Sequence, residues 1–293
     1  MRLLPLAIPV LLLAGCTFNV KESNIVFGRA MPVPDIAQVR EANPGYRVEE
    51  ARILTRDGEE LFSHRFIRDD AIATVLYFGG NGYAIARQGG RTVSVYRDLP
   101  VNLVLVDHRG YGGSTGSAAL GALMSDAVEV HDAVRSDPTL GGLPLVVHGH
   151  SLGSFMAGAL ADQRALHGLV LESSVTTAEA WTAHLRSQQR WWIRAVVWRV
   201  RPGETLRGLG NAGPVSRLDE PVIFLVGEED DVTPPVFSRE LFEAAAVPAE
   251  GKQLVVVPGA GHSNAADSLQ FRAAIAGLLE RTRRTGEKRR VAP

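Results

Sequence analysis

From about residue 48 the chain alternates between short apolar runs and longer segments in which apolar residues recur at helical spacing. Two runs, 48–54 and 61–66, flank Asp57-Gly58, a dipeptide that favours tight reversal, and they predict a hairpin. Six more runs, 72–78, 101–106, 144–147, 168–171, 221–226 and 253–257, are continuously apolar, as strands covered on both faces must be. Stretches of helical length lie between them, at 83–97, 118–135, 152–164, 235–246 and near 268–284. Strands alternating with helices predict an α/β fold, a mostly parallel, twisted sheet of about eight strands with helices on both faces. In such sheets reacting groups collect in loops at the carboxyl ends of the strands. The search for chemistry narrows to a few short loops.

One of those loops stands out. The run 144–147 passes straight into His148-Gly149-His150-Ser151-Leu152-Gly153, and a helix follows. A strand that turns abruptly into a helix holds the middle residue in a strained conformation and pushes its side chain into the cleft. The flanking positions then come so close to neighbouring backbone that only glycine fits. The helix also aims its first amides at the site, ready for developing negative charge.

Residues 149–153 resemble the nucleophile elbow of the α/β-hydrolase superfamily. Asp107-His108-Arg109-Gly110-Tyr111-Gly112-Gly113-Ser114 is similar to that superfamily's D-x-R-G-x-G-x-S loop. Tyr77-Phe78-Gly79-Gly80-Asn81-Gly82 sits where the F-H-G-N loop sits in the branch called Bem46-like or serine-aminopeptidase-like. The likeness runs from about residue 45 to 284, with the motifs in order, and implies an α/β-hydrolase fold with a small helical cap at about 173–216.

A serine hydroxyl needs an imidazole to take its proton and an acid to orient that imidazole. The resemblance implies the chain order serine, acid, histidine. Of eight histidines only His262 lies late, after a buried strand, in Pro258-Gly259-Ala260-Gly261-His262-Ser263. His148 and His150 are too near Ser151 along the chain to approach it from the required side, and His108 reads as structural support. Gly227-Glu228-Glu229-Asp230-Asp231-Val232-Thr233-Pro234 resembles the family's G-x-x-D-x-x-x-P stretch, which puts the acid on Asp230. Asp231 is its rival, and Glu172, at the end of another strand, is a third candidate. The oxyanion hole is expected from the backbone N–H groups of Leu152 and Asn81. Gly79 stands where the branch usually has a histidine, which leaves the shape of that loop open.

The 293 residues suffice for one large α/β domain, expected at 45–285. A formal net charge of −1 argues against nucleic acid as a partner, since phosphate binding needs a basic face. No Cys/His cluster has metal spacing and no dinucleotide fingerprint follows a strand, so neither metal nor cofactor is expected. Arg2 and the apolar run 3–13, broken by Pro5 and Pro9, read as an export signal over residues 1–15. Leu13-Ala14-Gly15-Cys16 looks like a bacterial lipobox, which implies cleavage before Cys16 and a diacylglyceryl group on its thiol. By the same resemblance, Thr17 at the next position, where an aspartate would imply retention at the inner membrane, implies the outer membrane. Residues 16–44, with Pro32, Pro34 and Pro44, read as a tether, and the basic residues 286–293 as a solvated tail.

All four tryptophans, Trp181, Trp191, Trp192 and Trp198, fall in the expected cap and gather on one side at helical spacing. Arg186, Arg190 and Arg194 form a stripe roughly opposite. Three readings stand: aromatics packed on the domain, an acyl-binding wall, or a helix lying on a membrane. The expected function is acyl transfer to water, with a small ester or acyl compound as substrate and Ser151, His262 and Asp230 as its machinery. An aminopeptidase-like amidase, and a surface binding module without turnover, are the alternatives.

Overall fold

The continuous apolar runs become strands because every side chain in them, on either face, finds a layer to bury against. A computed structural model of the chain describes residues 16–291. In chain order its elements begin with β1 (Cys16–Val20), α1 (Ile36–Ala42), β2 (Arg47–Leu54), β3 (Glu60–Ile67), β4 (Ala73–Phe78) and α2 (Ile85–Tyr96). Next come β5 (Val101–Val106), α3 (Leu120–Ser136), β6 (Leu145–His150), α4 (Leu152–Ala161), β7 (Gly168–Glu172), α5 (Ala178–Ser187) and α6 (Trp191–Val196). The chain continues through β8 (Val197–Pro202), α7 (Ala212–Val215), β9 (Val222–Gly227), α8 (Pro235–Ala244), β10 (Lys252–Val257) and α9 (Leu269–Val291).

Eight strands join in the order β10-β9-β7-β6-β4-β5-β3-β2. The hairpin β2–β3 and the pair β3–β5 are antiparallel, and all other pairs are parallel. This is the expected α/β-hydrolase architecture. One apolar layer joins the sheet to α3, α4 and α8 through Leu123, Val130, Met156, Leu160 and Leu241. The other joins it to α2 and α9 through Val93, Tyr96, Phe271, Ile275 and Leu278. β4 lies between β5 and β6, so the chain leaves it toward one edge and returns to build the other. The crevice at such a reversal, above the carboxyl ends of β4 and β6, is where open α/β sheets bind ligands.

Three expectations change. Residues 16–44 are not a free tether: β1 pairs with β8, Val20 and Val26 are buried, and Met31 N–H donates to the Gly112 carbonyl at 2.8 Å. The apolar residues spaced among the prolines give that segment something to bury. The tryptophans do not share one helix: α5 ends at Ser187, α6 is separate, and Trp198 lies on β8. The β-branched and aromatic run from Val196 to Val200 favours a strand there. Finally, α9 continues to Val291, because beyond residue 284 the chain is rich in helix-forming Glu, Lys and Arg and has no proline before residue 293. The expected signal segment, 1–15, lies outside the described residues.

Candidate active site

β6 runs into α4 through a single residue, Ser151, at φ 51° and ψ −114°. A β-carbon on Gly149 would lie 2.3 Å from the Gly153 carbonyl oxygen, and one on Gly153 would lie 2.0 Å from that of Phe78. Glycine at both positions lets the turn close against β4. The turn is pinned by Ser151 N–H donating to the Glu172 carbonyl at 2.9 Å and by Ser154 Oγ donating to the Ser151 carbonyl at 2.6 Å.

Three loops meet over this turn. His262 Nε2 lies 3.0 Å from Ser151 Oγ, and its Nδ1 lies 3.0 Å from both carboxylate oxygens of Asp230. With the Nδ1 proton donated to Asp230, Nε2 is free to accept the serine proton. Asp230 also receives the backbone N–H groups of Val232 and Thr233, at 3.0 and 2.8 Å, and the Thr233 hydroxyl at 2.8 Å. Burial pushes the Asp230 carboxyl up, but the bonds from His262 and Thr233 outweigh it and hold it below the ordinary range. Asp231, the rival, is exposed, and its backbone carbonyl accepts from His184 Nε2 at 2.9 Å. Glu172, the third candidate, turns away from His262: its oxygens take His148 Nε2 at 3.1 Å and Ala266 N–H at 3.2 Å.

Gly80, in the loop after β4, lies against Ser151, since a β-carbon there would stand 3.4 Å from Ser151 Cβ. Asn81 follows, and the Tyr111 hydroxyl donates to its Oδ1 at 2.8 Å. The absent family histidine has a steric cause. A β-carbon at Gly79 would fall 2.1 Å from Cγ of Tyr83, whose ring fills that space. His108 supports the same loop by donating from Nε2 to the Gly79 carbonyl at 2.7 Å. Its own loop is braced by Arg109, which forks onto Asp57 and Asp126, and by Asp107, which accepts Ile85 and Gly113 N–H. Leu152, the other expected donor, opens α4 immediately after the serine.

Two supports escaped the sequence reading. The His262 carbonyl accepts from His150 Nε2 at 2.9 Å and from Ser173 Oγ at 3.0 Å, so the residues ending β6 and following β7 fix the imidazole's backbone. Ser173 itself is held at φ 51°. The only sequence signal was the period of two that places His148 and His150 on one side of β6.

A cavity of about 490 Å³ opens beside Ser151. One wall is apolar, with Ile25, Leu152, Phe155, Val175, Trp181 and Leu209. The other carries Tyr77, Tyr96, His148 and Glu172, and the Arg91–Asp267 ion pair borders it. Cys16 lies elsewhere, exposed at the start of β1.

Residues 111–280, more than half the chain, match the model of the prolyl oligopeptidase family. The chain belongs to that family. Within the α/β-hydrolase superfamily it falls in the Bem46-like branch. An uncharacterized protein of Mycobacterium tuberculosis is 29% identical over 82% of this chain and 79% of its own length. Protein bem46 of Schizosaccharomyces pombe is 26% identical over 73% of this chain and 71% of its own. The lysophosphatidylserine lipase ABHD12 of Danio rerio is 28% identical over 59% of this chain, which spans about half of that longer protein. Among solved structures, the Pyrococcus furiosus esterase Pf2001 superposes with a TM-score of 0.68 at 15% identity, covering 88% of this chain and 97% of its own. A hydrolase is the class that family and fold share.

Proposed function

We propose that the protein is a serine hydrolase that cleaves a carboxylic ester or thioester through an acyl-enzyme on Ser151. The observation that carries this reading is the unbroken chain of contacts from Ser151 Oγ through the His262 ring to Asp230. His262 Nε2 takes the hydroxyl proton as Oγ bonds to the substrate carbonyl carbon, and the carbonyl oxygen becomes an oxyanion. The N–H groups of Leu152 and Asn81 receive that charge, each such donor contributing about 3 kcal/mol at the transition state. His262 then gives its proton to the departing alcohol or thiol, leaving the acyl group on Ser151. Water, deprotonated by the same imidazole, releases the acid and restores the serine.

The apolar wall favours an acyl chain over a peptide, and a lipid ester is in keeping with the activity named for ABHD12. An amidase for free amino termini needs a carboxylate for the substrate amine. Asp230, Glu172 and Asp267 are already engaged, by His262, His148 and Arg91. Labelling by a fluorophosphonate probe, lost in Ser151→Ala, is the expected result. A folded chain that takes no label would leave a binding module as the better account, and a Ser151→Ala variant that keeps the label would place the nucleophile on another residue.

We also propose that the chain is cleaved before Cys16 and lipid-anchored there in the cell envelope, at the outer membrane. The exposed position of Cys16 at the start of β1 supports this, as does the apolar run ahead of it. Incorporation of an alkyne fatty acid, lost in Cys16→Ala, is the test.

A further inference from the structure

The cap carries a basic and aromatic face that no part of the proposed chemistry uses. Trp191 is 80% exposed, Trp192 50% and Trp198 57%, and Phe18 on β1 is 55% exposed. The fold brings these rings into one region. α6 runs directly into β8, and β8 pairs in parallel with β1, with Cys16 opposite Val197 and Phe18 opposite Val200.

The charge pattern of the same stretch is one-sided. From Trp181 to Pro202 the chain has five arginines, Arg186, Arg190, Arg194, Arg199 and Arg201, and neither aspartate nor glutamate. Arg186 is spent on the backbone, donating to the Val197 carbonyl at 3.1 Å. The other four are exposed. Among the described residues, the arginines in salt bridges are others, such as Arg109, Arg164 and Arg217. In a chain whose net charge is −1, this sets cations beside large rings left in water. Arg190 and Arg194 flank the rings of α6, while Arg199 and Arg201 lie on the side of the ribbon opposite Val200 and Phe18.

We propose that this face, formed by α6 and the β1–β8 ribbon, docks flat on an anionic phospholipid bilayer. Indole rings, apolar but with a polar N–H, suit the boundary between headgroups and acyl chains. Guanidinium forks match phosphate oxygens, and a basic surface is drawn to an anionic leaflet. The exposed Cys16 opens β1 on the same face, so a chain arriving from the bilayer enters where the rings lie. α5 links the face to the cavity: Ala178 and Trp181 line the cavity, and Arg186 holds β8. Docking therefore sets one cavity wall near the lipid. The docking itself does not depend on the catalytic assignment.

The test is co-sedimentation of the full chain carrying Cys16→Ser, which removes any acyl group, with two kinds of vesicle. One is phosphatidylcholine alone; the other contains one third phosphatidylglycerol. The chain is expected to bind the anionic vesicles more tightly and to lose that preference as salt is raised. Replacing Arg190 and Arg194 by glutamine should weaken partitioning about five-fold for each charge removed. Trp191→Ala, alone and with Trp192→Ala and Trp198→Ala, should weaken binding to both kinds of vesicle. Residues 1–15 are common to all variants, so any binding they cause stays constant across the series. Thermal melting identifies the folded variants, and Trp191→Ala, at the most exposed ring, keeps the test open where the triple variant does not fold. Equal partitioning of parent and folded variants overturns the proposal, as does equal binding to the two kinds of vesicle. A lipid-free dimer that the tryptophan variants dissolve overturns it too, since the occupant is then a second copy of the chain.

Discussion

Ser151 and Ser173 are the non-glycine residues held at positive φ among the described residues, a conformation that costs on the order of 1 kcal/mol or more. Both sit at the carboxyl ends of neighbouring strands, and both reach His262, one at its ring and one at its carbonyl. The strain is concentrated where the geometry must be held. Asp230 and Asp231 give the sharpest contrast between adjacent residues. Asp230→Ala is expected to lower kcat about 10⁴-fold, the scale seen when the corresponding acid is disabled in serine proteases. Asp231→Ala should stay within about two-fold, because only its carbonyl is engaged and any residue supplies one. Ester hydrolysis by the two purified variants decides it, and the reverse order would move the acid by one residue. A second residue reports on stability. His64 is buried between Phe62 and Phe66 with neither ring nitrogen bonded, and burial pushes its imidazole down to about 4. The folded state thus favours neutral His64, whereas the unfolded chain titrates near its ordinary value of 6.5. Its contribution is fully present above that value and is lost as pH falls toward 4, by up to ~3 kcal/mol. His108, also pushed down to about 4 by burial, adds a loss of the same sign. Urea midpoints of the parent and His64→Leu at about pH 7.5 and about pH 4.5 should differ less in the variant. An unchanged difference would assign the acid sensitivity to other groups.

The elements repeat this division between what is local and what is not. The hairpin, the buried strands and the helices that cover them were legible because their patterns answer to a layer on each side, which composition reports directly. The elbow was legible because its glycines are dictated by contacts a few residues away, Gly149 against Gly153 and Ala157. The cap and the segment before residue 45 were misread because their partners are each other. Val20 and Val26 are buried by cap and domain residues far along the chain, and β1 exists only because β8 lies beside it. The loop after β4 lies between these cases. The sequence shows that Gly79 departs from its branch, whereas the cause, the ring of Tyr83, is a tertiary contact. Gly79→His should therefore not produce the loop usual in that branch. With its β-carbon in that ring, it is expected to cost about 1–3 kcal/mol of stability as an overpacked site and to lower kcat/KM. Adding Tyr83→Ala should recover part of both. Thermal melts and ester kinetics of the single and double variants measure the coupling, and simple additivity would mean the ring moves aside without effect.

For the whole molecule, the decisive feature is that β4 and β6 are adjacent although a helix, a strand and another helix separate them in the chain. That crossing brings Gly80, Ser151, Asp230 and His262 to one rim. The sequence pointed to the last three by order and motif, yet beyond the period of two that places His150 on β6 it carried no sign of their shared supports, His150 and Ser173, which act through space on a carbonyl. Nor did it show the cavity, since the apolar wall is assembled from the N-terminal segment (Ile25), α4 (Leu152, Phe155), the chain after β7 (Val175), α5 (Trp181) and the loop before α7 (Leu209). That wall makes a quantitative demand on the substrate. If it receives the acyl chain, each methylene taken out of water contributes about 0.8 kcal/mol, or up to about a four-fold rise in kcat/KM. The gain should continue from acetate upward until the cavity is filled, then stop. The polar wall opposite, with Tyr96, His148 and Glu172 buried and bonded, offers no such gradient to a longer alcohol. A series of nitrophenyl esters of increasing acyl length, set against acetates of increasing alcohol length, separates the two sides. A steep acyl series with a flatter alcohol series is expected, because the wall of Ile25, Leu152, Phe155, Val175, Trp181 and Leu209 has more apolar surface to exchange for water. A flat acyl series would place the chain elsewhere and leave the cavity for the leaving group.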